Sequence, residues 1–137
     1  MKNKTSALVP YTIQDDTVSV FLQHRTDDAP HNPGKYALFG GGKEGDETPE
    51  ETLLRETKEE LGIIPTNYQL YGDVEGAVSL ISLFYMKVSI TFPETITILE
   101  GQGGFFVSEH DLEGHENIQP NHQIILNTLC EHVRKHQ

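Results

Sequence analysis

Residues 36–63 read YALFGGGKEGDETPEETLLRETKEELGI, and the reading of this stretch decides the fold. Tyr36 to Phe39 is a short apolar strand that runs into Gly40-Gly41-Gly42, where the backbone can take conformations closed to other residues and a tight turn is expected. Thr48-Pro49-Glu50-Glu51 then carries every part of a helix start: Thr48 as N-cap, Pro49 at the first helical position, and Glu51 closing a capping box. The pattern predicts a helix from Pro49 to Leu61, with Gly62 as its stop.

At about 100° per residue, Glu56, Glu59 and Glu60 project from one side of that helix, within an arc of roughly 100°. Carboxylates at three- and four-residue spacing repel each other by a few tenths of a kcal/mol per pair unless a cation sits between them. A hard divalent ion with oxygen ligands, Mg²⁺ or Mn²⁺, relieves that crowding most simply. Leu53, Leu54, Thr57 and Leu61 occupy a neighbouring arc and would anchor the helix against a sheet. A solvated acidic helix face is the competing reading, which the glutamates alone do not overturn.

The wider spacing adds a second line of inference. Gly41, Glu47, Arg55, Glu56, Glu59, Glu60, Gly62 and Ile63 stand as in the Nudix box, which the segment from Gly41 to Ile63 resembles. That motif reads Gly, five residues, Glu, seven residues, Arg-Glu, an apolar residue, any residue, Glu-Glu, any residue, Gly, and an aliphatic residue. The one fixed position missed is Thr57, where the family has an aliphatic residue; its methyl can pack and its hydroxyl can bond back to a helical carbonyl. A further departure is Asp46 in place of a common glycine, with Gly45 one position early, so the loop there is expected to differ slightly. The resemblance implies that Glu56, Glu59 and Glu60 bind the metal, that Arg55 orients a neighbouring carboxylate with Glu47 as partner, and that Gly41 and Gly42 let the backbone approach the phosphates.

Outward from the box, Thr5 to Ile13 and Thr17 to His24 read as strands around the turn Gln14-Asp15-Asp16, and Asp27 to Gly34 as a loop. Tyr68 to Val74 and Val78 to Thr91 read as strands, and Gly101 to Gly104 as a loop before a Phe105-Phe106-Val107 strand. Pro120 to His136 places Ile125, Leu129 and Val133 at four-residue spacing, as an amphipathic helix does. Strands and helices intermix as in an α/β or α+β layered domain. The resemblance implies, more narrowly, an α/β/α sandwich with a mixed central β-sheet; the length and the absence of repeats, low-complexity tracts or linker-like segments give residues 1–137 as a single domain.

The likeness leans toward the MutT-like nucleoside triphosphate pyrophosphohydrolases and implies roles for three more positions. Glu100, opening Glu100-Gly101-Gln102-Gly103-Gly104-Phe105, matches a loop glutamate, remote in sequence from the box, that completes the metal site or acts as base. Arg25, ending VFLQHR, matches an arginine set against the substrate phosphates. Asn121 or His122 opens the last helix near where MutT-like enzymes read the base edge; Asn121 is the candidate for substrate binding, and a helix cap explains it equally.

Composition bounds the function class. Ten Lys+Arg against 21 Asp+Glu give a formal charge of −11, which repels a nucleic-acid polymer but admits a small anion accompanied by divalent cations. Cys130 is the single cysteine, so no internal disulfide is available, and it falls in the apolar stripe of the last helix. Met1 to Ile13 lacks the apolar run of a signal peptide and no later stretch is long enough to span a bilayer, so a cytoplasmic protein without membrane contact is expected, as a monomer or homodimer.

The resulting expectation is a Mg²⁺-dependent hydrolase, with Mn²⁺ as substitute, in which water attacks a phosphorus of a nucleoside diphosphate linked to another group. Nucleoside triphosphates, oxidised or pyrimidine ones included, are the leading class by resemblance. The base that takes the water's proton is left open among Glu56, Glu59 and Glu100. Two rivals are a Nudix-fold module that binds a nucleotide or ADP-ribose without cutting it, and an acidic domain whose glutamates are only surface.

Overall fold

A computed structural model describes residues 3–30, 33–99 and 101–136. The longest strand, β1 (Asn3–Gln14), and β2 (Thr17–His24) form a hairpin with Gln14 opposite Thr17. Its two loop residues, Asp15 and Asp16, take φ of 50° and 64°, the left-handed pair that matches the right-handed twist of the strands.

The predicted strand at 36–39 divides. β3 (Tyr36–Ala37) pairs with β2, whereas β4 (Phe39–Gly42) pairs with β1, Gly40 facing Ala7 and Gly41 facing Ser6. The three glycines are therefore strand and not the tight turn their composition suggests. At Gly40 a Cβ would lie 2.0 Å from the Ser6 carbonyl oxygen, and its φ of 148° is one that other residues rarely adopt.

The helix α1 (Pro49–Leu61) begins on Thr48, whose hydroxyl accepts from the Glu51 amide while the Glu51 carboxylate accepts from the Thr48 amide. It stops on Gly62 at φ 68°. β5 (Tyr68–Glu75) and β6 (Ser79–Lys87) follow; β6 ends before the predicted Thr91 and runs parallel to β1, with β5 antiparallel beyond it. β7 (Gly103–Ser108) adds to β2, and α2 (Pro120–Lys135) closes the chain. Among the described residues one mixed sheet of seven strands results, with β1 at its centre.

Alternation along the central strands feeds two cores. Ala7, Val9, Val20, Leu22 and Leu83 pack with Leu126 and Leu129 of α2, whereas Leu8, Phe21, Phe39 and Phe84 pack with Leu53 and Leu61 of α1. A helix thus covers each face of the sheet, the α/β/α arrangement. Among the described residues no helix is long and apolar enough to cross a membrane.

Candidate active site

The site begins with how α1 is held. Leu53, Thr57 and Leu61 are fully buried, and the Thr57 hydroxyl donates to the Leu53 carbonyl at 2.9 Å, so a polar residue in the apolar arc leaves no orphan. The Ser6 hydroxyl donates to the Pro49 carbonyl at 2.7 Å and pins the helix start to β1. The last turn is fastened too, since the Leu99 amide donates to the Glu60 carbonyl at 2.8 Å and the Thr97 amide to that of Leu61 at 3.2 Å.

Arg55 gathers the carboxylates. Its Nε and Nη2 donate to the two oxygens of Glu47 at 2.8 and 3.0 Å, Nη2 also reaches the Gly42 carbonyl at 2.8 Å, and Nη1 donates to Glu56 Oε1 at 2.9 Å. Glu59 lies 3.6 Å from Nη1 and Glu44 3.3 Å from Nε. The guanidinium's hydrogen bonds, followed by the Glu44 amide, hold the Glu47 carboxyl down at about 2, and Glu47 chiefly raises Arg55 in return. Glu47 is also steadied by the Thr52 hydroxyl at 3.0 Å.

The three helix glutamates stand in different surroundings. Glu59 is half exposed. The Glu56 carboxylate lies flat on Gly41, where a Cβ would come within 2.4 Å of both Cδ and Oε1. Glu60 is 2% exposed; its Oε1 accepts from the Gly40 amide at 2.7 Å and its Oε2 from Gln23 Nε2 at 3.3 Å. What presses on Gly40 and Gly41 is thus β1 and a carboxylate, whereas Gly42 faces open space. In the turn beyond, the left-handed residue is Gly45 at φ 54°, so the glycine sits where this loop needs it.

Among the described residues no three His, Cys, Asp or Glu side chains form a ready cation cage, because Arg55 stands between Glu47, Glu56 and Glu59. The donor set nonetheless suits a hard divalent ion: these are carboxylate oxygens at three- and four-residue spacing, each with more lone-pair positions than one hydrogen bond consumes. Glu56, Glu59 and Glu60 are the residues that could hold it.

Beside Gly40 and Gly41 opens a cleft of about 490 Å³, walled by Leu38, Val78, Gln119 and His122. The Nδ1 of His122 is shut off from solvent without a hydrogen-bond partner, and burial lowers that imidazole's pKa. Asn121 does not line this cleft; its neighbour does. Arg25 lines a separate hollow of about 290 Å³ with Gln23, Asp28 and Gly101. Glu47, Arg55, Glu56, Glu59, Glu60 and Gly41 are therefore brought together, Arg25 lines a neighbouring hollow and reaches Glu60 through Gln23, and Glu100 lies outside the described residues. Gln23 was missed by sequence reasoning, although a polar residue two places after the inward-facing Phe21 of β2 was a usable signal.

Residues 2–123 match the NUDIX domain family. The chain is 38% identical over 96 residues to an 8-oxo-dGTP diphosphatase of Haemophilus influenzae, a match covering 68% of this chain and 70% of that protein. Its fold resembles a mutT/nudix family protein of Listeria innocua (TM-score 0.77, 18% identity, 98% of this chain and 95% of that one). It also resembles the NUDIX domain of Shewanella oneidensis NrtR complexed with ADP ribose (TM-score 0.69, 20% identity, 93% and 86%).

Proposed function

We propose, from the premise that this chain belongs to the NUDIX domain family and is a Nudix hydrolase, that it uses water to cleave a nucleoside triphosphate to a nucleoside monophosphate and inorganic diphosphate. The observation that carries this reading is the Glu56 carboxylate seated on Gly41, which itself walls the cleft, so that carboxylates able to hold a cation stand directly behind the cleft wall, where such a cation would face an anionic substrate. An oxidised purine nucleoside triphosphate is the first substrate to test, since the Haemophilus influenzae relative is an 8-oxo-dGTP diphosphatase.

Nudix hydrolases generally need a divalent metal; Mg²⁺, with Mn²⁺ as substitute, is the ion we assign here, to Glu56, Glu59 and Glu60 with Glu100 completing the set. When bound, such an ion neutralises the anhydride oxygens and acidifies the attacking water. The chain's own groups do the rest. Arg55, fixed by Glu47, orients Glu56. Glu56, Glu59 or Glu100 accepts the proton as the water oxygen attacks phosphorus and the anhydride P–O bond breaks, for a gain of about 10²–10⁴-fold. Arg25 and the backbone of Gly41 and Gly42 receive phosphate oxygens, and the base enters the cleft toward His122, with Asn121 beside it at the start of α2. The same reading makes residues 1–137 one catalytic domain, cytoplasmic, monomeric or homodimeric, and without a nucleic-acid partner.

The test is a panel of nucleoside triphosphates, 8-oxo-dGTP among them, incubated with Mg²⁺, Mn²⁺ or chelator, with products separated by chromatography. Metal-dependent release of diphosphate, lost on Glu59→Gln, is the expected result. Tight nucleotide binding with no product under any metal would assign a binding module instead.

A further inference from the structure

The end of β2 carries a polar side chain in an unusual position. Gln23 is 2% exposed, yet it lies on the α1 face of the sheet between two charged groups. Its Nε2 donates to Glu60 Oε2 at 3.3 Å, and its Oε1 accepts from Arg25 Nη1 at 3.4 Å. The orientation of the amide is fixed by chemistry, because the carboxylate can only accept and the guanidinium can only donate. A neutral side chain with a donor at one corner and an acceptor at the other is what can face an anion and a cation together without adding a buried charge.

A third contact converges there. Gly101, at φ 84°, packs so closely that a Cβ would lie 2.7 Å from the His24 carbonyl oxygen and 3.1 Å from Gln23 Cγ. Gln102 fastens the same turn, its amide donating to the His24 carbonyl at 2.7 Å and its side chain to the Arg25 carbonyl at 2.9 Å. The turn before β7 is thus built against the β2 end, with Gln23 at the junction.

We propose that Gln23 is a positioning residue of the hydrolase, an amide strut that sets Glu60 and Arg25 relative to each other and so couples the cation-holding helix to the phosphate-contacting strand end. This rests on the reading of Glu60 and Arg25 given above. Replacing the amide by a thioether of similar length, Gln23→Met, takes one donor from Glu60 and one acceptor from Arg25. A buried charged group deprived of a partner loses enough to predict roughly a tenfold effect on what it binds.

The experiment combines two readouts on the full chain. Mn²⁺ affinity without nucleotide is measured by electron paramagnetic resonance for wild type and Gln23→Met, and KM and kcat for the nucleoside triphosphate are measured for Gln23→Met, Arg25→Ala and the double variant. Mn²⁺ affinity weakened about tenfold, with KM effects of the two substitutions clearly less than multiplicative, is the expected result. A lowered Tm with unchanged Mn²⁺ affinity, or fully multiplicative KM effects, would make Gln23 packing only. Should Gln23→Met not fold, the coupling is read without altering the strut, from the KM effects of Glu60→Gln and Arg25→Ala measured singly and together; effects clearly less than multiplicative are expected, and fully multiplicative effects overturn the proposal. Wild type that neither binds Mn²⁺ nor turns over nucleotide would instead overturn the functional reading itself.

Discussion

Gly41→Ala puts one methyl group where the Glu56 carboxylate now rests. The added Cβ would stand 2.4 Å from Cδ and Oε1 and 2.7 Å from Oε2, against 3.4 Å or more for ordinary contact, so the carboxylate must retreat by about 1 Å. It is the mobile end of a long side chain, and Gly41 has no positive φ, so the backbone need not move and the substitution restricts the unfolded chain by about 0.4–1 kcal/mol. Stability should therefore change by no more than about 1 kcal/mol. Activity should not be spared, because a displacement of about 1 Å in a reacting constellation costs on the order of 10²-fold. The assay is kcat/KM at saturating metal together with a thermal melt. Its control is Gly40→Ala, where the added carbon meets the backbone oxygen of Ser6 at 2.0 Å and should destabilise strongly. Near-wild-type turnover of a well-folded Gly41→Ala protein would refute the idea that the seat of Glu56 on this glycine matters.

Three further outcomes follow from the same geometry. The Glu47 carboxyl is held at about 2 against an ordinary 4.5, so its contribution is complete above pH 4.5 and fades as pH falls toward 2; Glu47→Gln should flatten the melting temperature against pH in that window and lower activity by releasing Arg55. His122 is lowered from 6.5 by burial, so the unfolded chain binds the extra proton and stability should fall as pH drops below 6.5; His122→Asn, followed by thermal melts between pH 7 and 5, should make that slope shallower, the remainder coming from His132, which is lowered too. Asp16→Gly, at the second left-handed position of the β1–β2 turn, should stabilise by about 0.5–1 kcal/mol in denaturant titration.

What the sequence disclosed divides along physical lines. The capping box at Thr48 and Glu51 and the stop at Gly62 involve only local backbone groups, so spacing alone reveals them. The pairing of Arg55 with Glu47 was likewise accessible from the motif. Gly40 to Gly42 suggest a turn from composition but form a strand, because the missing Cβ of Gly40 and of Gly41 makes room for a neighbouring strand and a carboxylate that the local sequence does not contain. A helical wheel assigns Glu59 and Glu60 to one acidic side, but only the sheet above decides that Glu59 meets solvent while Glu60 is enclosed beneath Gly40 and Gln23. The partners of Gln23, and the choice of His122 over Asn121 as the cleft wall, depend on which elements fold against each other, and no periodicity encodes that.

The amides of Thr97 and Leu99 take the final carbonyls of α1, so a stretch more than 30 residues downstream is stitched into the helix as though it were its next turn. Fraying there cannot be a private event of the helix end: unwinding it frees the strand-like segment, and pulling that segment away uncaps the helix. Two portions of chain, far apart along the polypeptide, thereby share one local melting transition.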